Sequence, residues 1–270
     1  NRLSGVEYLS HDVAEPLSVD CDLILHFASR ASPPDYQANP LDTIHANSLG
    51  TLNLLCLAEA QSARLVFAST SEVYGNPAVI PTPESYWGRV NSCGPRSCYD
   101  ESKRLGEAYC YEFFRRGVDV RLARIFNTYG PRMRVDDGRV ISNFITQALR
   151  GVDLTVYGDG LQGRSYCFVS DLVEGVFQLS SFTPQGGDFK ESRVFNLGNP
   201  VEHYSVRELA LLIKELVGSE SEIVFKPLPE DDPVDRVPDA SKAERVLGWC
   251  PGVSLREGLV STIDYFRSVL

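Results

Sequence analysis

Tyr99 and Lys103 stand four residues apart in the run Tyr99-Asp100-Glu101-Ser102-Lys103. On a helix that spacing places both side chains on one face. A free phenol titrates near 10 and is a poor base at neutral pH. A lysine ammonium beside it favours the phenolate and lowers that value. Earlier in the chain, Ser69-Thr70-Ser71-Glu72-Val73-Tyr74-Gly75 follows Arg64-Leu65-Val66-Phe67-Ala68, an apolar run of strand type. A hydroxyl at the end of that strand can hold a substrate alcohol against the phenolate. Such a constellation removes a proton from an alcohol as a hydride leaves, and so requires a hydride acceptor. Taken singly, Tyr-x-x-x-Lys is common, and a hydroxyl cluster more often caps a helix. The order strand, hydroxyls, loop and Tyr/Lys helix is what points to catalysis.

The elements around these residues read as an alternation of strands and helices. Gly5–Leu9 and Cys21–Ala28 read as strands, and a polar, proline-containing loop covers Arg30–Pro40. Leu41–Ala60 has a helical pattern, with apolar Ile44, Leu49, Leu52, Leu55 and Ala58. After the strand at Arg64–Ala68 comes a long loop, Asn76–Ser97, with prolines at 77, 81, 83 and 95; long loops in compact domains are often binding elements. Helix Tyr99–Arg116, strand Val118–Ile125 and the turn Phe126–Arg132 follow. Ligands of open parallel sheets sit at such strand ends. Further on, Val140–Leu149 and Val169–Leu179 read as helices, and Leu154–Tyr157, Val194–Leu197 and Ile223–Phe225 as strands. Ser181–Glu191 reads as a loop. Ser205/Glu208, Ser241/Glu244 and Ser254/Glu257 have capping-box spacing and start three more helices. The expected fold is α/β, a Rossmann-type doubly wound parallel sheet with helices on both faces. Residues 1–139 are expected to form the cofactor-binding domain and 140–270 a smaller α/β substrate-binding region interleaved with it.

With 270 residues, 43% hydrophobic and 23% charged, the chain has the balance of a soluble globular protein with a sizeable core. Its formal net charge of −10 argues against nucleic acid or an anionic membrane as the main partner. The seven cysteines are scattered and form no Cys-x-x-Cys pair, so no metal site is expected and a reducing compartment is. No apolar run is long enough to span a bilayer. The expectation is a protein of the cytoplasm, with a secretory-lumen form as the alternative.

The Ser69–Gly75 motif followed by Arg96-Ser97-Cys98-Tyr99-Asp100-Glu101-Ser102-Lys103 resembles the extended short-chain dehydrogenase/reductases that act on nucleotide sugars. Within them the resemblance is closest to the UDP-glucuronate decarboxylases. His26–Pro34, Arg124–Arg132, Asp137–Ser142 and Asp231–Asp239 extend it over nearly the whole chain. Relatives separate at Ser71-Glu72: simple 4-epimerases usually lack the acid there, and dTDP-glucose 4,6-dehydratases usually carry Asp-Glu. Thr-Ser-Glu also occurs in GDP-mannose 4,6-dehydratases. Arg236 matches an arginine that faces the sugar carboxylate in the decarboxylases, although by sequence alone it reads as a solvated loop residue.

The resemblance implies NAD as cofactor, a UDP-sugar as substrate and Thr70, Ser71, Glu72, Tyr99, Lys103 and Arg236 as catalytic residues. Hydride leaves C4 of UDP-glucuronate as Tyr99 takes the hydroxyl proton; the resulting β-keto acid loses CO2; the retained hydride then reduces C4 to give UDP-xylose. Asp12, Val13, Ala28, Ser29, Asn47, Thr128 and Arg139, with Tyr99 and Lys103, are implied NAD contacts. Asn127, Thr155, Val156, Tyr157 and Arg164 are implied substrate contacts. A homodimer through the helices at 41–60 and 99–116 is also implied.

Departures from the family pattern are local. No G-x-x-G-x-x-G, the turn that seats a pyrophosphate on a helix N-terminus, occurs near the start of the sequence, so a preceding β-α-β segment is expected to be missing. Arg30 stands where relatives usually have proline, and Gly163 where they often have threonine. A nucleotide-sugar 4,6-dehydratase or 4-epimerase is the alternative enzyme; a catalytically silent nucleotide-sugar-binding relative is the alternative from another class.

Overall fold

The computed structural model describes residues 3–231 and 234–270. Its central sheet is parallel, with strands in the order Leu23–His26, Arg64–Thr70, Val120–Ile125 and Val194–Leu197. In chain order, β1 is Leu23–His26, and three helices follow: α1 (Pro33–Ala38), α2 (Pro40–Asn47) and α3 (Leu49–Gln61). Next come β2 (Arg64–Thr70), a single 3-10 turn (Ser71–Tyr74), α4 (Ser97–Arg115), β3 (Val120–Ile125) and the short β4 (Thr128–Tyr129). The chain continues through α5 (Val140–Leu149), β5 (Leu154–Tyr157), β6 (Gly163–Ser165), β7 (Cys167–Phe168), α6 (Val169–Ser181), α7 (Phe189–Arg193) and β8 (Val194–Leu197). It ends with β9 (His203–Ser205), α8 (Val206–Val217), β10 (Ile223–Lys226), β11 (Asp235–Arg236), α9 (Ser241–Leu247) and α10 (Leu255–Val269).

The continuous apolar run of β2 is explained by cover on both faces. Leu65 and Phe67 enter one cluster with Ile24, Leu55, Cys110 and Leu122. Val66 enters the opposite one with Ala123, Leu172, Phe195 and Trp249. A third core, built on α5, α8, α10 and β5, lies in the C-terminal region. Parallel ladders run β1 to β2, β2 to β3 and β3 to β8, so the C-terminal ends of these strands share one edge.

Where the structure differs from the sequence pattern, tertiary partners or local side chains decide. Gly5–Leu9 has no ladder partner among the described residues, and Val6, Tyr8 and Leu9 are exposed. The expected helix at 41–60 is two helices joined at Ser48, whose ψ is −74. There Ser48 Oγ donates to Ile44 O at 2.6 Å and Thr51 Oγ1 to Asn47 O at 2.6 Å, back-bonding of the kind that bends helices. The loops expected at Arg30–Pro40 and Ser181–Glu191 contain α1 and the start of α7, the latter begun by Asp188 capping the Glu191 N–H. The boxes at Ser205 and Ser254 form reciprocally. The one at Ser241 does not: Ala240 is the N-cap, and Asp239 Oδ1 accepts from the Ser241 N–H instead.

Gly106 sets how closely α4 lies on β2. A Cβ there would stand 2.5 Å from Phe67 Cζ and 3.2 Å from Asn47 O. Gly106→Ala is therefore expected to destabilise the fold by ~1–3 kcal/mol through overpacking, read as a fall in Tm. An unchanged melting curve would show that Phe67 yields without strain.

Candidate active site

The strand, turn and helix expected from the sequence meet at the C-terminal edge of the sheet. β2 ends at Thr70, whose Oγ1 accepts the Glu72 N–H at 3.2 Å and so caps the 3-10 turn. The same hydroxyl hydrogen-bonds to the Tyr99 phenol. Ser71 is buried beside them.

Tyr99 lies in the first turn of α4, buried, with its ring stacked on that of Tyr36 at 5.1 Å between centroids and 7° between planes. Lys103 is one helical turn further on. Its Nζ donates to Ala68 O at 2.8 Å and lies 5.9 Å from the Tyr99 ring centroid. Burial pushes the Lys103 ammonium down to about 7. Burial also raises the Tyr99 phenol above its ordinary value, with Thr70 opposing. The lowering expected from the Tyr/Lys spacing is thus not what the folded protein shows: helical adjacency is present, but loss of solvent dominates.

Glu72 projects from the turn between two guanidinium groups. Arg236 donates from Nη1 to Oε1 at 2.6 Å and from Nη2 to Oε2 at 2.7 Å. Arg96, just before α4, reaches Oε2 at 2.6 Å. Burial favours the neutral acid, but Arg236 and then Arg96 outweigh it and hold the carboxyl well below its usual range. Arg236 also points Nη1 at Ser71 Oγ, at 3.5 Å. It is 3% exposed, so the solvated-loop reading of its acidic, proline-rich surroundings is wrong.

Long-range pairing brings Arg236 here. β11 pairs with β6, placing Arg236 opposite Arg164. The Thr82 N–H donates to Val237 O at 2.9 Å, and the Asp239 N–H to Thr82 O at 3.0 Å. The loop carrying Thr82 is itself anchored to the sheet, since Glu84 Oε1 accepts the Asn196 N–H. Asp232 and Pro233, part of the Asp231–Asp239 motif, lie outside the described residues.

The remaining expected contacts are distributed unevenly. Arg139 is close enough to act on the Tyr99 phenol while its fork pairs with Asp137 at 2.5 Å and 2.9 Å. Asn47 is fully buried and donates to Ser102 Oγ at 3.0 Å. Arg164 is buried and donates to Gly163 O at 2.7 Å. Ala28 and Ser29 follow the C-terminal end of β1. Asp12 is exposed and accepts the Ala14 N–H, and Val13 packs against Gly50. Thr128 donates to Phe126 O, and the backbone carbonyl of Asn127 accepts the Cys167 N–H. Thr155 bonds Gln147 through both its N–H and Oγ1, Val156 is in the C-terminal core and Tyr157 is exposed. No hydrogen bond or ion pair among the described residues ties residues 155–157 to the Glu72 cluster.

Three members of the site were given no role from the sequence: Arg96, Asp100 and Tyr36. The i,i+4 spacing of Arg96 and Asp100 is a local signal that could have flagged that pair; Tyr36 carried none. The departure at Gly163 has a steric cause. A Cβ there would stand 2.4 Å from His203 Nε2 and 2.5 Å from Asp235 Oδ1, two atoms hydrogen-bonded to each other at 2.7 Å.

Two observations fit a ribose-bearing dinucleotide beside Lys103. Asn47 Oδ1 is buried with no hydrogen-bond partner. Lys103 makes one hydrogen bond, to Ala68, and so has donors left for hydroxyls. A cavity of about 730 Å³ lies elsewhere, lined by Trp87, Arg104, Tyr111 and Phe189 among others. The chemistry of the Tyr99 and Glu72 groups locates the site, not cavity size. The cysteines are all free thiols, and no cluster of metal-ligating side chains occurs among the described residues. No helix among them is long and apolar enough to cross a membrane.

The model of the family "NAD dependent epimerase/dehydratase" matches residues 8–198. UDP-glucuronic acid decarboxylase 1 of Xenopus tropicalis is 54% identical over 265 residues, which are 98% of this chain and 61% of that protein. UDP-glucuronic acid decarboxylase 3 of Arabidopsis thaliana is 52% identical over 262 residues, 97% of this chain and 74% of that one. Among solved structures, MoeE5 in complex with UDP-glucuronic acid and NAD superposes with a TM-score of 0.80 at 30% identity, covering 92% of this chain and 80% of MoeE5.

Proposed function

The chain belongs to the NAD dependent epimerase/dehydratase family, and we propose that it decarboxylates UDP-glucuronate to UDP-xylose through a 4-keto intermediate, with NAD retained and recycled. The observation that carries this reading is the forked Arg236–Glu72 pair set beside Thr70, Tyr99 and Lys103. An alcohol-oxidising constellation next to the buried Arg236 and the partly buried Arg96 suits a sugar that carries both a reactive hydroxyl and a carboxylate.

NAD held beside Tyr99 and Lys103 would supply a reversible hydride acceptor for C4. Thr70 or Ser71 holds the C4 oxygen. Tyr99 takes its proton, with Lys103 and Arg139 as the cations that favour phenolate. The C4 ketone lies β to the carboxylate, so the electrons released with CO2 delocalise into that carbonyl. Arg236 and Arg96 supply positive charge for the carboxylate, and Glu72 fixes both guanidinium planes. Returning its proton, Tyr99 restores the alcohol as C4 is reduced. Asp12, Val13, Ala28, Ser29, Asn47 and Thr128 complete the NAD contacts. Asn127 and Arg164 hold the diphosphate or the sugar, and residues 155–157 line the uridine pocket. Residues 1–139 carry the cofactor and residues 140–270 the substrate, and two copies pair through α2, α3 and α4. Static light scattering at micromolar concentration checks the dimer; a monomeric mass would remove it.

Incubation with UDP-glucuronate and NAD, followed by mass spectrometry, tests the activity. The expected product is a UDP-pentose formed with loss of one CO2. Binding of both ligands without loss of CO2 would move the protein to the dehydratase or epimerase branch.

A further inference from the structure

Asp100 is the buried acid of this cluster that the mechanism leaves without a role. It is 6% exposed, and its Oδ1 has no hydrogen-bond partner. Its Oδ2 lies 3.9 Å from Arg96 Nε, beyond hydrogen-bonding distance. Arg96 and Arg236 both make short contacts with Glu72. An ionised carboxylate buried with so little compensation is costly, and taking up a proton is the usual relief.

The consequence is a choice of net charge. With both acids ionised, Glu72, Asp100, Arg96 and Arg236 sum to zero. With Asp100 neutral they carry one positive charge, which matches an incoming carboxylate. Resting on the decarboxylase reading above, we propose that Asp100, held as the neutral acid, is a positioning residue that sets this charge and thereby selects sugars bearing a carboxylate. The surroundings support that state: burial and the Glu72 charge raise its titration to about 7, against the pull of Arg96 and Arg236. The charged and titratable groups facing it among the described residues are Arg96, Tyr99 and Glu101 of α4, Glu72 of the 3-10 turn, Arg236 of β11 and Tyr36 of α1.

The test is calorimetric binding of UDP-glucuronate and UDP-xylose between about pH 6 and 8.5 with NAD present, in a Tyr99→Phe background so that turnover does not consume the ligand. Ionisation of one group that must be neutral lowers affinity about 10-fold per pH unit above its pKa. UDP-glucuronate is expected to weaken in that way above about pH 7, whereas UDP-xylose, which lacks the carboxylate, does not. Adding Asp100→Asn, which is neutral at every pH, should remove the slope and keep the tight low-pH affinity. Parallel behaviour of the two ligands, or a slope that survives Asp100→Asn, overturns the proposal. A merely structural aspartate would change both ligands alike. If the asparagine variant does not fold, the comparison of ligands in the Asp100 protein still decides. Failure to bind UDP-glucuronate at any pH removes both this inference and the decarboxylase reading; binding with the expected slope but no CO2 release in the Tyr99 enzyme removes only the latter.

Discussion

Tyr99→Phe is expected to lower turnover of UDP-glucuronate by about 10²–10⁴-fold, the usual contribution of a positioned proton acceptor, while the protein stays folded and binds its nucleotide sugar. The ring is held by the parallel stack on Tyr36 and by burial in the first turn of α4, and phenylalanine preserves both. What is lost is the hydroxyl that bonds Thr70 and that, in the proposed mechanism, receives the C4 proton. Thr70 Oγ1 keeps its backbone partner at Glu72, which limits the structural penalty to about 1 kcal/mol. The effect should therefore fall on kcat with KM nearly unchanged, measured by single-turnover release of CO2 beside a thermal melt. Wild-type turnover in the variant would mean that Tyr99 is a packed tyrosine and nothing more. A matching fall in Tm would trace the loss to the fold.

Arg236→Ala acts on stability and chemistry together. It removes two short hydrogen bonds to Glu72 from a residue whose side chain is 4% exposed. Breaking a buried ion pair by deleting one partner costs about 3–5 kcal/mol. Arg96 still reaches Oε2, which favours the lower end of that range. At roughly 2–4 °C per kcal/mol for a chain of this order of size, Tm should fall by about 6–12 °C. In the wild-type protein the Glu72 carboxyl is held below its usual range, so its stabilising contribution is complete above the unfolded value near 4.3 and is lost only at strongly acidic pH. Without Arg236 that loss should begin at higher pH, so the variant's deficit narrows on acidification. Decarboxylation should fall with it. Arg236→Lys is not expected to restore either property, because an ammonium cannot bond both carboxylate oxygens in a plane. An unchanged melting temperature with retained CO2 release would detach Arg236 from the site.

The two variants probe parts of the site that differ in how they are encoded. Tyr99 and Lys103 are bound to one helix face by spacing alone, and Thr70 and Ser71 to a strand end by the apolar run before them. The rise in the Tyr99 phenol and the fall in the Lys103 ammonium were not legible, since both come from burial, which depends on what the fold packs around α4. Arg236 looked like a charged loop residue because its neighbours in sequence are acids and prolines. Its neighbours in space are Glu72 and Ser71.

By itself the sequence determined the local rules of this protein. Its apolar run at Leu65–Ala68 required a strand covered on both faces, its capping boxes began α8 and α10, and its Tyr-x-x-x-Lys spacing fixed one face of α4. Only the tertiary structure decided that Glu72 sits between Arg96 and Arg236, that Asp100 is buried without a hydrogen bond at Oδ1, and that Tyr36 stacks on Tyr99. It also decided the break at Ser48 and the unformed box at Ser241. Periodicity and caps are written in residues one to four positions apart. A charge cluster drawn from a turn, a helix and a distant strand depends on ladder pairings such as β11 with β6, which no local pattern specifies.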